Sequence, residues 1–148
     1  MSDEQVFTKD EQDPTSWMLI ANGELDVKEI EGKGINERIV EYHSVTSLGA
    51  KDDAVPWCAS FVCWVLQQAG YPHTRSAAAR SYIGYGAKGD LSYGDIVVTK
   101  RKGGHHVGFV VKHDPFNVWL LGGNQSDMVC IRPFAQSQVI AIRKPEKV

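Results

Sequence analysis

The segment from Pro56 to Gly70, PWCASFVCWVLQQAG, constrains the fold more than any other part of the chain. Counted from Cys58, apolar residues recur at +3, +4, +7, +8 and +11, which is the pattern of a helix packed on a core. Pro56 suits the entrance of a helix, and Gly70 with the following Tyr71-Pro72 ends it. The sequence therefore predicts an amphipathic helix with Cys58 in its first turn, on the buried side.

Cys58 has the position of a nucleophile, although it could also be an ordinary core residue. At a helix N-terminus, unpaired backbone N–H groups and the positive end of the helix dipole lower the pKa of a thiol. Buried free cysteines are, however, often inert. Cys63 lies about 140° around the helix from Cys58, and Cys130 follows in a strand-like run. We expect both of these to be packing residues.

Composition indicates one ordinary globular domain. The chain has 148 residues, of which 43% are hydrophobic and 23% charged, and this length can bury a substantial core. We expect a flexible tail at residues 1–13 and a single domain at residues 14–148. The net charge of −2 gives no reason to expect nucleic-acid binding. The sequence contains no apolar run long enough for membrane insertion.

The N-terminal sequence MSDEQVFTKDEQD is acidic and lacks the apolar core of a signal peptide. The three cysteines have spacings that suit neither a zinc site nor a disulfide framework. We therefore expect synthesis in a reducing cytoplasm, and any work outside it would need a route other than the general secretory pathway.

Predicted helices precede predicted strands along the chain. Helices are expected at residues 14–25, at 34–43 and in the Cys58 segment, with a short helix or ordered loop at 76–83. Strands are expected at residues 95–100, 105–112, 118–121, 128–133 and 139–143. Helices followed by an antiparallel meander indicate the α+β class.

A catalytic thiol needs a base, which is usually histidine. Two of the five histidines are expected at the surface: His43 and His73. In the segment GGHHVGF, strand alternation puts His106 and Gly108 on one face and His105 on the other. Gly108 would give the Cys58 helix room to approach, which favours His106 over His105.

A third polar side chain should hold the imidazole in the right tautomer. Asn124 and Gln125 follow the run WLLGG, at the end of the next predicted strand. Both could be plain turn residues, because turns favour such side chains after glycines. We rank Asn124 above Gln125 as the orienting residue.

Together these residues resemble the NlpC/P60 and CHAP superfamily of papain-like cysteine peptidases and amidases, and more narrowly a small family of bacterial and phage proteins. The resemblance runs from about Trp17 to beyond Gln125, and the pairing of PWCASFV with HVGF is its most specific part. It implies a papain-like α+β fold, with the nucleophile helix on an antiparallel sheet, and hydrolysis of amide bonds in peptidoglycan. It also implies Cys58 as nucleophile and His106 as base, with Asn124 as candidate for the variable third position.

The expected chemistry is acyl transfer through a thioester, in which the Cys58 thiolate, paired with the imidazolium of His106, attacks an amide carbonyl without a metal or cofactor. Candidate substrate contacts are Trp57, Ser76, Arg80, Ser81, Tyr82 and Gln125. Arg80 could pair with a carboxylate of the stem peptide. Trp57 could equally pack beside the helix, and Arg80 could be a solvated or structural arginine.

Two other functions stay open from the sequence: a non-catalytic wall-binding module of the same fold, and a cysteine acyltransferase or deamidase. For a wall hydrolase without a signal peptide we expect phage-mediated release or injection into a neighbouring bacterium. An injected effector would need a cognate immunity protein. The expected partners are thus peptidoglycan stem peptides and that immunity protein, and the hydrolase itself is expected to be monomeric.

Overall fold

The structure is a computed structural model that describes residues 15–31, 34–51 and 56–147. Within these ranges the chain forms three α-helices and one six-stranded antiparallel sheet. The helices are α1 (Ser16–Gly23), α2 (Glu37–Ser44) and α3 (Cys58–Gln68), followed by a short 3₁₀ helix (Ala79–Tyr82). The strands are β1 (Ala87–Lys88), β2 (Ile96–Arg101), β3 (Gly104–His113), β4 (Asn117–Gln125), β5 (Met128–Ala135) and β6 (Val139–Lys144). Their order across the sheet is β1-β6-β2-β3-β4-β5, which confirms the α+β class.

The predicted helices and strands are all present, with shifted ends. The second helix begins later than expected because Asn36 caps it: its side chain accepts a hydrogen bond from the backbone N–H of Arg38. The two-residue strand β1 at the sheet edge was not predicted, since so short a segment shows no periodicity. The predicted tail at residues 1–13 lies outside the described residues.

The sheet separates two apolar clusters, one on each face. The face toward the helices carries Ile96, Val98, Val107, Phe109, Leu121 and Val129. The opposite face carries Val97, Val110, Val118 and Leu120. Because strand side chains alternate between faces, neighbouring residues of β3 belong to different clusters. This division decides which groups of β3 can lie on the helix side.

From Cys58 to Leu66, helix α3 is surrounded by protein, so the prediction that only one side of it is buried was wrong. Every residue from Cys58 to Leu66 is buried. Phe61 packs edge-on against Tyr42 of α2 and against Phe109 of the sheet, with ring centroids 5.2 and 6.4 Å away. The helix therefore has a fixed position between α2 and the sheet.

His43 is also buried, which corrects the prediction of a surface role. Its side chain has no exposed area, and its Nδ1 lies 2.7 Å from the Ser60 hydroxyl of α3. The helical period of α2 was visible in the sequence, but the neighbour that covers His43 comes from a different element.

The close approach of α3 to the sheet occurs at Gly123 and not at Gly108. A Cβ atom on Gly123 would lie 2.8 Å from Phe61 Cβ and from ring atoms of Trp57, which is too close for any larger residue. A Cβ atom on Gly108 would instead meet the Leu120 side chain at 3.1 Å, on the opposite face. Gly108 therefore gives no room to the helix.

A membrane-crossing helix would need about 20 apolar residues. In the described part of the chain, no helix has the length and apolar character to cross a bilayer.

Candidate active site

Cys58 is the first residue of α3, and only 6% of it is exposed. Burial raises the pKa of its thiol. Hydrogen bonds from the backbone N–H groups of Val107, Ala59 and Cys58 itself oppose this effect, as does the charge of Arg101. The net pKa stays above its ordinary value, which corrects the expectation that the helix N-terminus would dominate. The resting sulfur is a neutral thiol at neutral pH.

The backbone of Val107 lies where α3 meets the sheet. Strands β3 and β4 pair from Phe109–Leu121 outward to His113–Val118, so Val107 lies beyond their paired region. Its backbone contributes to lowering the pKa of the Cys58 thiol. Cys58 therefore lies beside the backbone of the residue that follows His106.

His106 is held by two contacts and is 2% exposed. Its Nε2 lies 2.8 Å from Oε1 of Gln125. Its ring stacks on Phe134, with centroids 5.0 Å apart and an interplanar angle of 18°. One contact fixes the rotation of the ring and the other fixes its plane, so the imidazole has a single orientation.

Gln125 determines which nitrogen of His106 carries the proton. The Gln125 amide nitrogen donates to the backbone carbonyls of Cys130, at 2.8 Å, and Leu120, at 3.2 Å. These bonds leave Oε1, an acceptor only, facing His106. The neutral imidazole must therefore carry its proton on Nε2 and keep the lone pair on Nδ1. The basic nitrogen of the ring is therefore Nδ1.

Burial and, to a smaller extent, the charge of Arg101 lower the pKa of His106 to about 4, although the Gln125 hydrogen bond opposes both. At neutral pH the imidazole is uncharged. The resting pair is thus a thiol and a neutral imidazole, and not the thiolate–imidazolium pair that the sequence suggested.

The two histidines of β3 lie on different faces of the sheet. His105 is two residues from Val107, so both lie on the helix side of β3. The His106 ring stacks on Phe134, which packs against the cluster on the opposite face. Among the residues that the structure describes, no hydrogen bond joins the Cys58 thiol to either imidazole. Catalytic hydrogen bonds are commonly long or poorly aligned before substrate binds.

A cavity of about 180 Å³ opens beside His106. Its lining residues are Arg101, His106, Asn124, Gln125, Ser126, Arg132 and Phe134. Asn124 contributes to this lining from a left-handed backbone conformation, with φ of 57°. The hydrogen bond to His106 comes from Gln125, so the ranking of Asn124 above Gln125 as its partner is reversed.

The remaining candidate substrate contacts are distributed differently from the prediction. The Trp57 indole is completely buried and donates to Glu29 at 2.8 Å, so it is a packing residue. Tyr82 is likewise buried. Ser76 is half-buried, and its hydroxyl accepts from the backbone N–H of Ala78. Arg80 is exposed on the 3₁₀ helix and does not line the His106 cavity.

Cys63 and Cys130 make polar contacts in addition to packing. Cys63 is buried, and its sulfur lies 3.1 Å from the Tyr82 hydroxyl. The Cys130 thiol donates to the Gln125 carbonyl at 3.2 Å, and its own carbonyl accepts from the Gln125 amide. Cys130 therefore helps to hold the residue that orients His106.

Four residues of the cavity were not found from the sequence: Arg101, Ser126, Arg132 and Phe134. Period-two alternation in β5 indicates that Arg132 and Phe134 share a face. It does not indicate that β5 lies two strands away from His106, because strand order depends on the tertiary fold.

A helix that begins with cysteine, packed on an antiparallel sheet that carries an oriented histidine, defines a papain-like fold of the cysteine-hydrolase class. The chain belongs to the CHAP domain family, whose model matches residues 50–124, about half of the sequence. CHAP domains are generally cysteine- and histidine-dependent amidases or peptidases, in a family of peptidoglycan hydrolase-like proteins. The match includes Cys58, His105, His106 and Asn124, and ends one residue before Gln125. A comparison with curated proteins finds no match.

Proposed function

We propose that this protein hydrolyses amide bonds of peptidoglycan peptides, with Cys58 as nucleophile and His106 as general base. The observation that carries the proposal is the Gln125 hydrogen bond, since it leaves the Nδ1 lone pair of a neutral imidazole available. The position of Cys58 at the backbone of Val107, adjacent to His106 in the chain, supports the pairing.

The first half of the reaction forms a thioester. His106 Nδ1 takes the Cys58 proton as the sulfur attacks the carbonyl carbon of the substrate amide. The tetrahedral oxyanion receives hydrogen bonds from backbone N–H groups at the start of α3, and one good donor contributes about 3 kcal/mol. The C–N bond then breaks, and the imidazolium gives its proton to the leaving amine.

The second half regenerates the enzyme. Water enters in place of the amine and gives a proton to His106 while its oxygen attacks the thioester carbon. The C–S bond breaks, the acid product leaves, and the imidazolium returns the proton to the Cys58 sulfur. Because Gln125 holds Nε2–H throughout, Nδ1 is the atom that moves protons in both halves.

Digestion of purified peptidoglycan, followed by mass analysis of the fragments, tests this function. New amine and carboxyl ends in the wild-type digest, and none with Cys58→Ala, would support an amidase or endopeptidase and identify the bond. A protein that binds the wall without cutting it would be a wall-binding module. Acyl transfer or side-chain deamidation without chain cleavage would support the acyltransferase or deamidase alternative.

We further propose that the hydrolase works as a monomer in the periplasm, which it reaches by a route other than the general secretory pathway. Injection into a neighbouring bacterium is favoured over phage release because the domain is small and suits a thin periplasmic wall. In that case the producer would need an immunity protein, which would be expected to cover the Cys58 region.

A further inference from the structure

Two arginines flank the His106–Gln125 pair from opposite sides. Arg101 ends β2, which pairs with β3, and Arg132 lies on β5, which pairs with β4. Thr99 is opposite His106 in the β2–β3 register, so alternation puts Arg101, two residues on, on the His106 face. Phe134 lies two positions after Arg132, on the same face of β5, and stacks on His106. Both guanidinium groups therefore belong to the face that carries the imidazole, and both line its cavity.

This pair of positive charges has no counterion among the described residues. Over residues 15–31, 34–51 and 56–147, neither arginine has an ion-pair or hydrogen-bond partner. The described lining of the cavity contains no carboxylate. Two guanidinium groups among otherwise uncharged lining side chains form a site for an anion, and the cavity of about 180 Å³ accommodates one substituent of a peptide, not a whole peptide.

We propose that Arg101 and Arg132 form a subsite for a free carboxylate of the stem peptide, a role that the sequence gave to Arg80. The inference rests on the proposed function, because it names the substrate group that the same site selects. A planar guanidinium binds a carboxylate through two parallel hydrogen bonds, which fixes the orientation of the peptide relative to His106.

Carboxylate binding would also act on the reaction itself. The Arg101 charge lowers the pKa of His106, which disfavours the imidazolium that must form when Cys58 loses its proton. A bound carboxylate offsets that charge at the moment of reaction. The subsite is therefore expected to raise kcat as well as lower KM.

A series of synthetic muropeptides tests the subsite. One peptide has all its carboxylates converted to carboxamides, and each of the others keeps a single free carboxylate. We expect the wild type to cleave one single-carboxylate peptide about 10- to 100-fold faster than the all-amide peptide, the range expected for charge-assisted hydrogen bonds. In Arg101→Gln and Arg132→Gln, the ratio of these two rates should fall toward 1.

Lys102→Gln is the matched control, since it removes the same charge beside Arg101 but does not line the cavity. It should keep the wild-type ratio. Equal cleavage of all peptides by the wild type, or an unchanged ratio in both arginine variants, would overturn the subsite. If the wild type cleaves none of them, the proposed function fails. The subsite is then tested by calorimetric binding of the same peptides to Cys58→Ala. Arginine-dependent preference for one carboxylate would then support the subsite, and equal or absent binding would overturn it.

Discussion

His106 Nε2 donates to Gln125 Oε1 over 2.8 Å, and the Gln125 amide nitrogen is itself held by the carbonyl of Cys130. A side chain at the end of β4 thus sets the proton position on a ring of β3, with help from β5. Gln125 therefore occupies the third polar position of the site. Because its amide nitrogen is used by Cys130, its oxygen can only accept, and His106 Nε2 can only donate.

Cys58→Ala and Cys58→Ser should both abolish hydrolysis while leaving the fold intact, because no other described thiol lies at the start of α3. Circular dichroism checks the fold, and muropeptide release checks the activity. Cys63→Ser is the control on the same helix and should retain most activity, since a hydroxyl can keep the contact to Tyr82. An active Cys58→Ala with an inactive Cys63→Ser would overturn the choice of nucleophile.

His106→Ala should lower kcat/KM by about 100-fold or more, the usual range for removing a general base. His105→Ala should lower it much less, because the proton position on its ring is not set by Gln125. The measurement is kcat/KM on one muropeptide for the two variants side by side. Since His105 lies on the helix side of β3, a larger loss in His105→Ala would move the base to that residue.

Gln125→Ala should lower kcat by about 10-fold or more, whereas Asn124→Ala should change it only a few-fold, because the orienting hydrogen bond comes from Gln125. Chemical shifts of the two His106 nitrogens report the tautomer independently of activity. The Nε2–H tautomer should dominate in the wild type and in Asn124→Ala, and a mixture should appear in Gln125→Ala. An unchanged tautomer in Gln125→Ala would show that another group holds the ring.

The acid limb of kcat/KM should fall as the pH drops through about 4, because His106 is a base only while it is neutral and burial lowers its pKa to that value. An unburied histidine would give an inflection near 6.5. The profile is measured with the all-carboxamide muropeptide, because it has no carboxylate that titrates in this range. An inflection near 6.5 would mean that the acting base is solvent-exposed.

The same pKa shift affects stability in a defined window. Between pH 6.5 and about 4 the unfolded chain binds a proton on His106 that the folded protein does not. The free energy of unfolding should therefore fall as the pH is lowered through this range, by up to about 3 kcal/mol. His106→Gln removes this contribution, so the wild type and the variant should differ in their pH dependence of urea unfolding only below pH 6.5.

The proposed delivery to the periplasm predicts where the protein is toxic. Fused to a periplasmic export signal, it should lyse Gram-negative cells, because its substrate bonds lie in the cell wall. The same protein without the signal should be harmless, and Cys58→Ala should be harmless in both compartments. Viable counts and microscopy after induction give the result. Equal toxicity from the cytoplasm would exclude peptidoglycan as the relevant target and favour the deamidase alternative.

The sequence by itself determined the features that depend on neighbours along the chain. Helical period and end signals placed Cys58 at the start of α3, and the change to period two placed the histidines on a strand. Strand alternation separated His105 from His106, and the structure keeps them on different faces. These are local properties, because backbone geometry alone fixes which residues share a face.

The tertiary structure decided every feature that joins distant segments. Gln125 and not Asn124 reaches His106, because the register of β4 and β5 breaks between Gly122 and Gln125 and turns that amide toward β3. Burial of His43 and Trp57 depends on elements that lie elsewhere in the sequence. The pKa of Cys58 also depends on distant elements, because desolvation by the assembled core raises it more than the backbone N–H groups at the helix N-terminus lower it. Periodicity specifies a face, but the neighbour on that face, and the electrostatic environment it creates, exist only once the chain has folded.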